Sequence, residues 1–565
     1  MKKKQDKDKD QSPEGAWAAA GFAVVLVVVG LPVWWYTTTV YRAHLPYSTI
    51  EELSSQLRYH AVGLTLIGVP SPSFSANLEK HVRHLRSVKF HMSLRRTRKD
   101  EMEVMRAASS LEELDTKLSR ITRAAPGTLA VFVIPDDRFF EDAGVSIVVG
   151  RHRLVLVKID IDMFLLAKVL KSMTMDPLAN IRVEEAKILQ ELRGLHKREA
   201  MRQVPTEPGY DVTLTLMVPE PHITRPVWDA KKAVDDYLKP VADQIESVAK
   251  LSIKSQVLYM TGLNVSPQWS ESYMHYALPQ DQLPLTVNAI EAKLGSFVWT
   301  RPSLHFIIYI PREKETPLHI HTADDLPLET NSFLVPRWGG VMIHNVQDPE
   351  INKTYPQEVS LDSHWIMKTV LTHLYRLLPV PNVKEDKEVL LLPSRDSTKL
   401  TEWQLDGLAR ARVSAYLSNI KITLQFPDPF VSYDHNSGCC FYLIPAVSSI
   451  HSKSLCELVG EISNMVISDE VGGWVWGAVE EWRECSSAAR EGRLQEATFY
   501  CGRSFTQADA AFFHPSLLAL LYFPDNQKYA IYVPLFLPVS IPVILSFKML
   551  LGLYKGSVAF KVKKE

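Results

Sequence analysis

Hydrophobic residues are distributed very unevenly along this chain. Two long uncharged runs stand near its ends, and the stretch between them alternates short apolar bursts with helical periodicities. The bursts are rich in β-branched residues and predict strands over Ala61–Val69, Thr128–Pro135, Val145–Ile159, Asp211–Val218, Ser255–Leu263, Leu304–Ile310 and Gly340–Val346. Apolar residues at three- and four-residue spacing predict helices over Asp100–Arg123, Glu184–Arg202, Val227–Val248, Ser363–Leu378 and Thr401–Tyr416, with Asp229 and Thr401 placed to cap helix starts. From Lys453 to Leu521 the pattern is helical, with interruptions expected near Gly472-Gly473 and Glu491-Gly492. The fold class expected is an α/β body (residues 37–400) followed by a mainly helical section (401–528), flanked by two transmembrane helices.

The first uncharged run extends from Gly15 to Tyr41. Its core, residues 16–36, matches the roughly 20 residues that cross a bilayer as a helix. It ends in Trp34, Trp35 and Tyr36, an aromatic belt suited to the headgroup level. A cleaved signal peptide would have a shorter apolar region followed by small residues, so a retained helix fits better. The second span is expected over residues 529–550, where Tyr529 to Phe547 carries no charge. Pro534, Pro538 and Pro542 recur at four-residue spacing and so line one helix face. Each removes a backbone donor and frees the carbonyl four residues back. In lipid those carbonyls need partners, which predicts a helix packed against neighbouring helices.

Lysines set the orientation. Lys2, Lys3, Lys4, Lys7 and Lys9 precede the first span, and Lys548, Lys555, Lys561, Lys563 and Lys564 follow the core of the second. The positive-inside rule places the tails, residues 1–15 and 551–565, in the cytosol and residues 37–528 across the membrane. Lys561 and Lys563 then match a dilysine retrieval signal for the endoplasmic reticulum, although a basic tail also meets anionic lipid. Two N-glycosylation acceptors, Asn264-Val265-Ser266 and Asn352-Lys353-Thr354, fall in the region expected to be lumenal.

The 63 basic and 64 acidic residues nearly cancel, which gives no support to nucleic-acid binding. No nucleophile elbow, phosphate loop, dinucleotide fingerprint or HExxH helix is present, and no cofactor or metal is expected. The best metal candidate is His319-Ile320-His321 with Asp324-Asp325, since residues two apart on a strand share a face. It lacks an identified third ligand. All five cysteines (Cys439, Cys440, Cys456, Cys485 and Cys501) lie late in the chain, where an oxidising lumen permits disulfides. Cys485 and Cys501 could bridge the turn at Glu491-Gly492, and a catalytic cysteine would need a histidine such as His451. A lumenal hydrolase and a glycan-binding membrane protein are the alternatives to a non-catalytic subunit.

The residues also carry a family resemblance. Gly30-Leu31-Pro32-Val33-Trp34-Trp35-Tyr36, Val227-Trp228-Asp229, Pro336-Arg337-Trp338-Gly339-Gly340, Glu461-Ile462-Ser463-Asn464-Met465 and Phe513-His514-Pro515-Ser516 stand in the order found in PIG-S. The chain resembles that family over essentially its whole length. The resemblance implies a non-catalytic subunit of the glycosylphosphatidylinositol (GPI) transamidase of the endoplasmic-reticulum membrane. Its implied partners are PIG-K, which carries the cysteine–histidine chemistry, PIG-T, PIG-U and the attachment protein GAA, with GPI lipid and proprotein met through the complex. One stretch departs from the family pattern: residues 419–445, with Phe426, Phe430 and the adjacent Cys439 and Cys440, are expected to form a loop insertion.

Overall fold

The computed structural model describes residues 21–38, 41–50, 60–69, 72–82, 88–135, 138–174, 207–294, 301–345, 355–383, 386–394, 398–424 and 467–517, with isolated positions besides. The chain divides into two compact units. One comprises Gln56–Asn419 and Glu481–Ser504; the other comprises Met1–Ser55, Ile420–Glu480 and Phe505–Glu565.

The larger unit opens with β1 (His60–Ile67), β2 (Val88–Arg95), β3 (Thr128–Ile134), β4 (Ile147–Val149) and β5 (Leu154–Lys158). These form a mostly parallel sheet in which β1 is flanked by β2 and β3. Helices cover both faces, so its central strands are apolar throughout. On β3, Leu129, Val131 and Val133 meet Phe74, Leu78 and Leu170 on one face. Ala130, Phe132 and Ile134 meet Leu114 and Leu118 on the other.

The region expected as one strand over Val145–Ile159 is instead a hairpin, with β4 antiparallel to β5. The turn begins at Gly150, where Asp115 approaches so closely that a Cβ would lie 2.0 Å from its Oδ1. The helix expected over Asp100–Arg123 is also two, Lys99–Ala107 and Leu111–Thr122. Ser110 caps the second by accepting from the Glu113 N–H, and Glu113 accepts from the Ser109 N–H.

A second sheet follows. Its members are β6 (Gly209–Val218), β8 (Lys250–Tyr259), β11 (Ser303–Tyr309), β13 (Ser332–Val335) and β14 (Gly339–Ile343), in the order β13-β14-β11-β6-β8. The interposed β7 (Thr224–Val227) pairs with β15 (Gln357–Ser360). Strand β6 is buried along its whole length. One sheet face packs on the Ser363–Leu377 helix through Ile366, Val370 and Leu374. The other packs on Ile290 and Leu294 and on a small sheet of β9 (Gln268–Ser270), β10 (His275–Pro279) and β12 (Leu318–His321). The last strand, β16 (Val389–Leu391), returns to pair with β4 in the first sheet.

The Glu402–Leu424 helix ties the two sheets together, because Trp403 enters the core of the first and Leu408 that of the second. It is pinned by Asp406, which accepts from Arg153 Nε (2.6 Å), Arg153 Nη2 (2.9 Å) and the Gly127 N–H (3.0 Å). It runs on through Leu424, beyond the expected end at Tyr416 and into the stretch expected as a loop; Phe426, Phe430, Cys439 and Cys440 lie outside the described residues. So does the helix expected over Glu184–Arg202.

The helical section contains Asp469–Glu491 and Leu494–Phe512. The break at Gly492 (φ +79°) stands where expected, but the first helix passes straight through Gly472-Gly473. In the smaller unit a Cβ on Gly472 would lie 3.0 Å from Ala43, so this glycine gives room for close packing.

Among the described residues no helix is long and apolar enough to cross a membrane. The described part of the first uncharged run includes a π turn, Leu26–Gly30, and a helix, Leu31–Thr38. Phe22, Val24, Val25, Val28 and Trp35 are exposed along it.

Candidate functional site

The histidines singled out in the sequence do meet. Parallel pairing of β10 with β12 sets Ala277 beside His319 and Pro279 beside His321. His275 therefore shares a face with both imidazoles. Its Nε2 faces His321 Nε2 at 2.8 Å, and its ring lies 4.5 Å from that of His319. His321 Nδ1–H donates to Asp325 Oδ1 (2.6 Å), which leaves its Nε2 to accept from His275. Tyr273 stacks on His275. Burial, and then the neighbouring His321, hold His275 below the ordinary histidine range; burial does the same to His319. The cluster therefore joins His275 and His321 by a hydrogen bond, with the His319 ring packed beside them.

His319 is held aside by Asn345 (3.4 Å). Among the described residues no group of three or more His, Cys, Asp or Glu side chains is placed to hold a metal ion. Among the described residues no hydroxyl or thiol is hydrogen-bonded to His275 or His321.

Other serine–histidine contacts are structural. His60 Nε2 meets Ser414 Oγ at 2.6 Å, but His60 is buried, and burial and then Arg410 push the imidazole down to about 4. His514 Nδ1 meets Ser516 Oγ (2.6 Å) and accepts the Ser516 N–H (3.2 Å), a local bond at the start of the Pro515–Leu517 turn. Cys485 and Cys501 form a disulfide with a Cα–Cα distance of 5.2 Å, and both are fully buried. A polar cleft lined by Lys117, Arg120 and Arg151 carries its own counter-charges: Glu113 bonds Lys117 and Glu112 bonds Arg151.

Asn264 is exposed at a turn with φ +56°. Pro534 and Pro538 occupy exposed helical positions. Asn352, Pro542, Lys561, Lys563, Cys456 and His451 lie outside the described residues. Asp229 caps as expected, accepting the Lys232 N–H, while Thr401 donates through both its N–H and hydroxyl to Gln404.

Sequence reading missed His275, which sits 46 positions from its partner and carries no local signal. It also missed Asn331, which stitches the small sheet to the large one by bonding Ile320 N, Leu318 O and Ile343 O. The Trp338-Gly339-Gly340 motif proves to be packing. A Cβ on Gly339 would lie 1.8 Å from His305 O, and one on Gly340 would lie 2.2 Å from His373 Nδ1.

Fold and site together define a class: an α/β protein with a disulfide-bonded helical hairpin. A family model described as PIG-S, phosphatidylinositol-glycan biosynthesis class S protein, matches residues 21–425 and 439–556. The unmatched interval falls within the stretch 419–445 that departs from the family pattern.

A protein of Rattus norvegicus named GPI-anchor transamidase component PIGS is 32% identical over 570 residues, covering 96% of each chain. One of the same name from Homo sapiens is 32% identical and covers 94% of each. A GPI transamidase component PIG-S homolog of Schizosaccharomyces pombe is 24% identical, covering 93% of this chain and 81% of its own. The chain belongs to the PIG-S family.

Proposed function

We propose that this chain is a non-catalytic subunit of the GPI transamidase, supporting transfer of a preassembled GPI anchor to the new C-terminus of a proprotein. The observation that carries the reading is its end-to-end match to proteins named as components of that enzyme. The chain crosses the endoplasmic-reticulum membrane twice, with both tails cytosolic and the body lumenal. PIG-K, PIG-T, PIG-U and GAA are its partners.

Several features support the topology. Exposed valines, Trp35 and Tyr36 along the first apolar helix suit a lipid surrounding. The described positions of the second apolar run, Pro534, Leu537, Pro538, Ile541 and Ile544, are exposed, which suits a span with lipid or other helices around it. Within the smaller unit, the exit of the first apolar run is bonded to the helical section. Ala43 N–H donates to Ile467 O (3.0 Å), and Tyr41 O–H donates to Asp469 (2.6 Å). The buried disulfide fits an oxidising lumen, and Asn264 is open to glycosylation.

Complementation tests the role. In cells lacking their own PIG-S, the chain restores GPI-anchored proteins to the surface, and Cys456→Ala, His275→Ala and His514→Ala variants restore them as well. Loss of anchoring by one of these variants in an intact complex would contradict a non-catalytic role.

A further inference from the structure

Strand β8 forms one edge of the second sheet and pairs with β6 without interruption from Gly209↔Lys250 to Val218↔Tyr259. In a parallel ladder, a residue's N–H and C=O point to the same side, and successive residues alternate sides. Lys250 N–H donates to Pro208 O (3.0 Å) and Met260 N–H to Val218 O (2.9 Å), so the even-numbered residues face β6. Leu251, Ile253, Ser255, Val257 and Tyr259 therefore direct their backbone groups outward. Among the described residues those groups are unpaired, except that Tyr259 O accepts from Thr261 Oγ1 (3.1 Å).

Natural sheets usually guard such edges with prolines, bulges, inward charges or short strands. The other edges here are guarded: β13 has four residues, β16 has three, and β2 carries Lys89, His91 and Arg95. Strand β8 has ten residues, no proline and no bulge. Its central Lys254 is turned back to Asp211 on β6 (3.0 Å), and Gln256 to Thr215 (3.0 Å). Beside the open edge, Val257 is 44% and Tyr259 57% exposed, on one face of the strand.

We propose that the β8 edge is a docking site for an extended segment of a different polypeptide, added as a further strand. Its backbone pairs with Leu251, Ile253, Ser255 and Val257, and apolar side chains at alternate positions rest on Val257 and Tyr259. The row of donors and acceptors left unpaired among the described residues sets the main-chain chemistry, and the exposed apolar pair sets the side chains. The choice of a different chain over a second copy rests on the subunit reading above.

The test is residue-resolved hydrogen exchange on the full chain, alone in mild detergent and within the assembly it purifies with. The amides of Leu251, Ile253, Ser255 and Val257 exchange about tenfold or more slowly once assembled, while the even-numbered amides stay protected in both states. Ser255→Pro removes an outward donor without touching the β6 ladder. Val257→Lys charges the exposed face. Both variants keep the Cys485–Cys501 disulfide and the thermal midpoint of the wild type, yet lose this protection. Unchanged exchange in an intact assembly overturns the docking site and leaves the subunit reading standing. Protection that grows with concentration in the chain alone points to a second copy and overturns the proposal. Failure of any other polypeptide to co-purify with the wild type overturns the subunit reading and the choice of partner together.

Discussion

Gly340 lies so close to His373 that a methyl group has no room. The His373 ring is itself buried behind the second sheet, so it cannot swing into solvent. Gly340→Ala is expected to cost about 1–3 kcal/mol of stability by overpacking, read as a lowered denaturation midpoint with an unchanged slope. A midpoint equal to the wild type would mean that the histidine yields freely.

The buried histidines also make stability depend on pH. Burial pushes His60, His305 and His373 down to about 4, against about 6.5 in the unfolded chain. The unfolded state therefore takes up protons first as pH falls. Their stabilising effect is complete above about pH 6.5 and is lost towards about pH 4, at roughly 1.4 kcal/mol per pH unit for each histidine. Urea titrations from about pH 7 down to about pH 5 should show that loss. His373→Gln should flatten the slope by one histidine's share.

Among the elements, the Cys485–Cys501 bridge joins two helices across the Gly492 turn, with a sequence separation of 16. A closed loop of that length restricts the unfolded chain by about 3 kcal/mol. Replacing both cysteines by alanine should lower stability by about that amount, with helix content retained in circular dichroism. An unchanged denaturation curve would mean that packing alone holds the hairpin.

How far the elements could be read from the sequence followed from burial. Strands β1, β3, β6 and β11 are covered on both faces and were read from their apolar runs, nearly to the residue. Edge strands were not: β2 mixes charge with apolar residues, and β8 was displaced to Ser255–Leu263 because its first half, Leu-Ser-Ile-Lys-Ser, alternates polar and apolar. The β4–β5 turn and the break before Leu111 did carry local signals, Gly150 and Ser110, which longer periodicities outweighed. The His275–His321 contact and the Arg153–Asp406 pin join residues far apart in sequence, and only the folded chain brings them together.

For the molecule as a whole, family membership was readable because the resemblance runs through both ends and the middle. The proposed membrane topology rests on lysine asymmetry and the lengths of the apolar runs. A role as a component of a larger enzyme resides in surfaces, which leave no short motif in the sequence. The most direct test of that role is affinity purification of the full chain from microsomes in mild detergent, with peptide identification of what remains bound. PIG-K, PIG-T, PIG-U and GAA are expected in the eluate in amounts comparable to the chain itself. A chain that elutes alone would contradict the account.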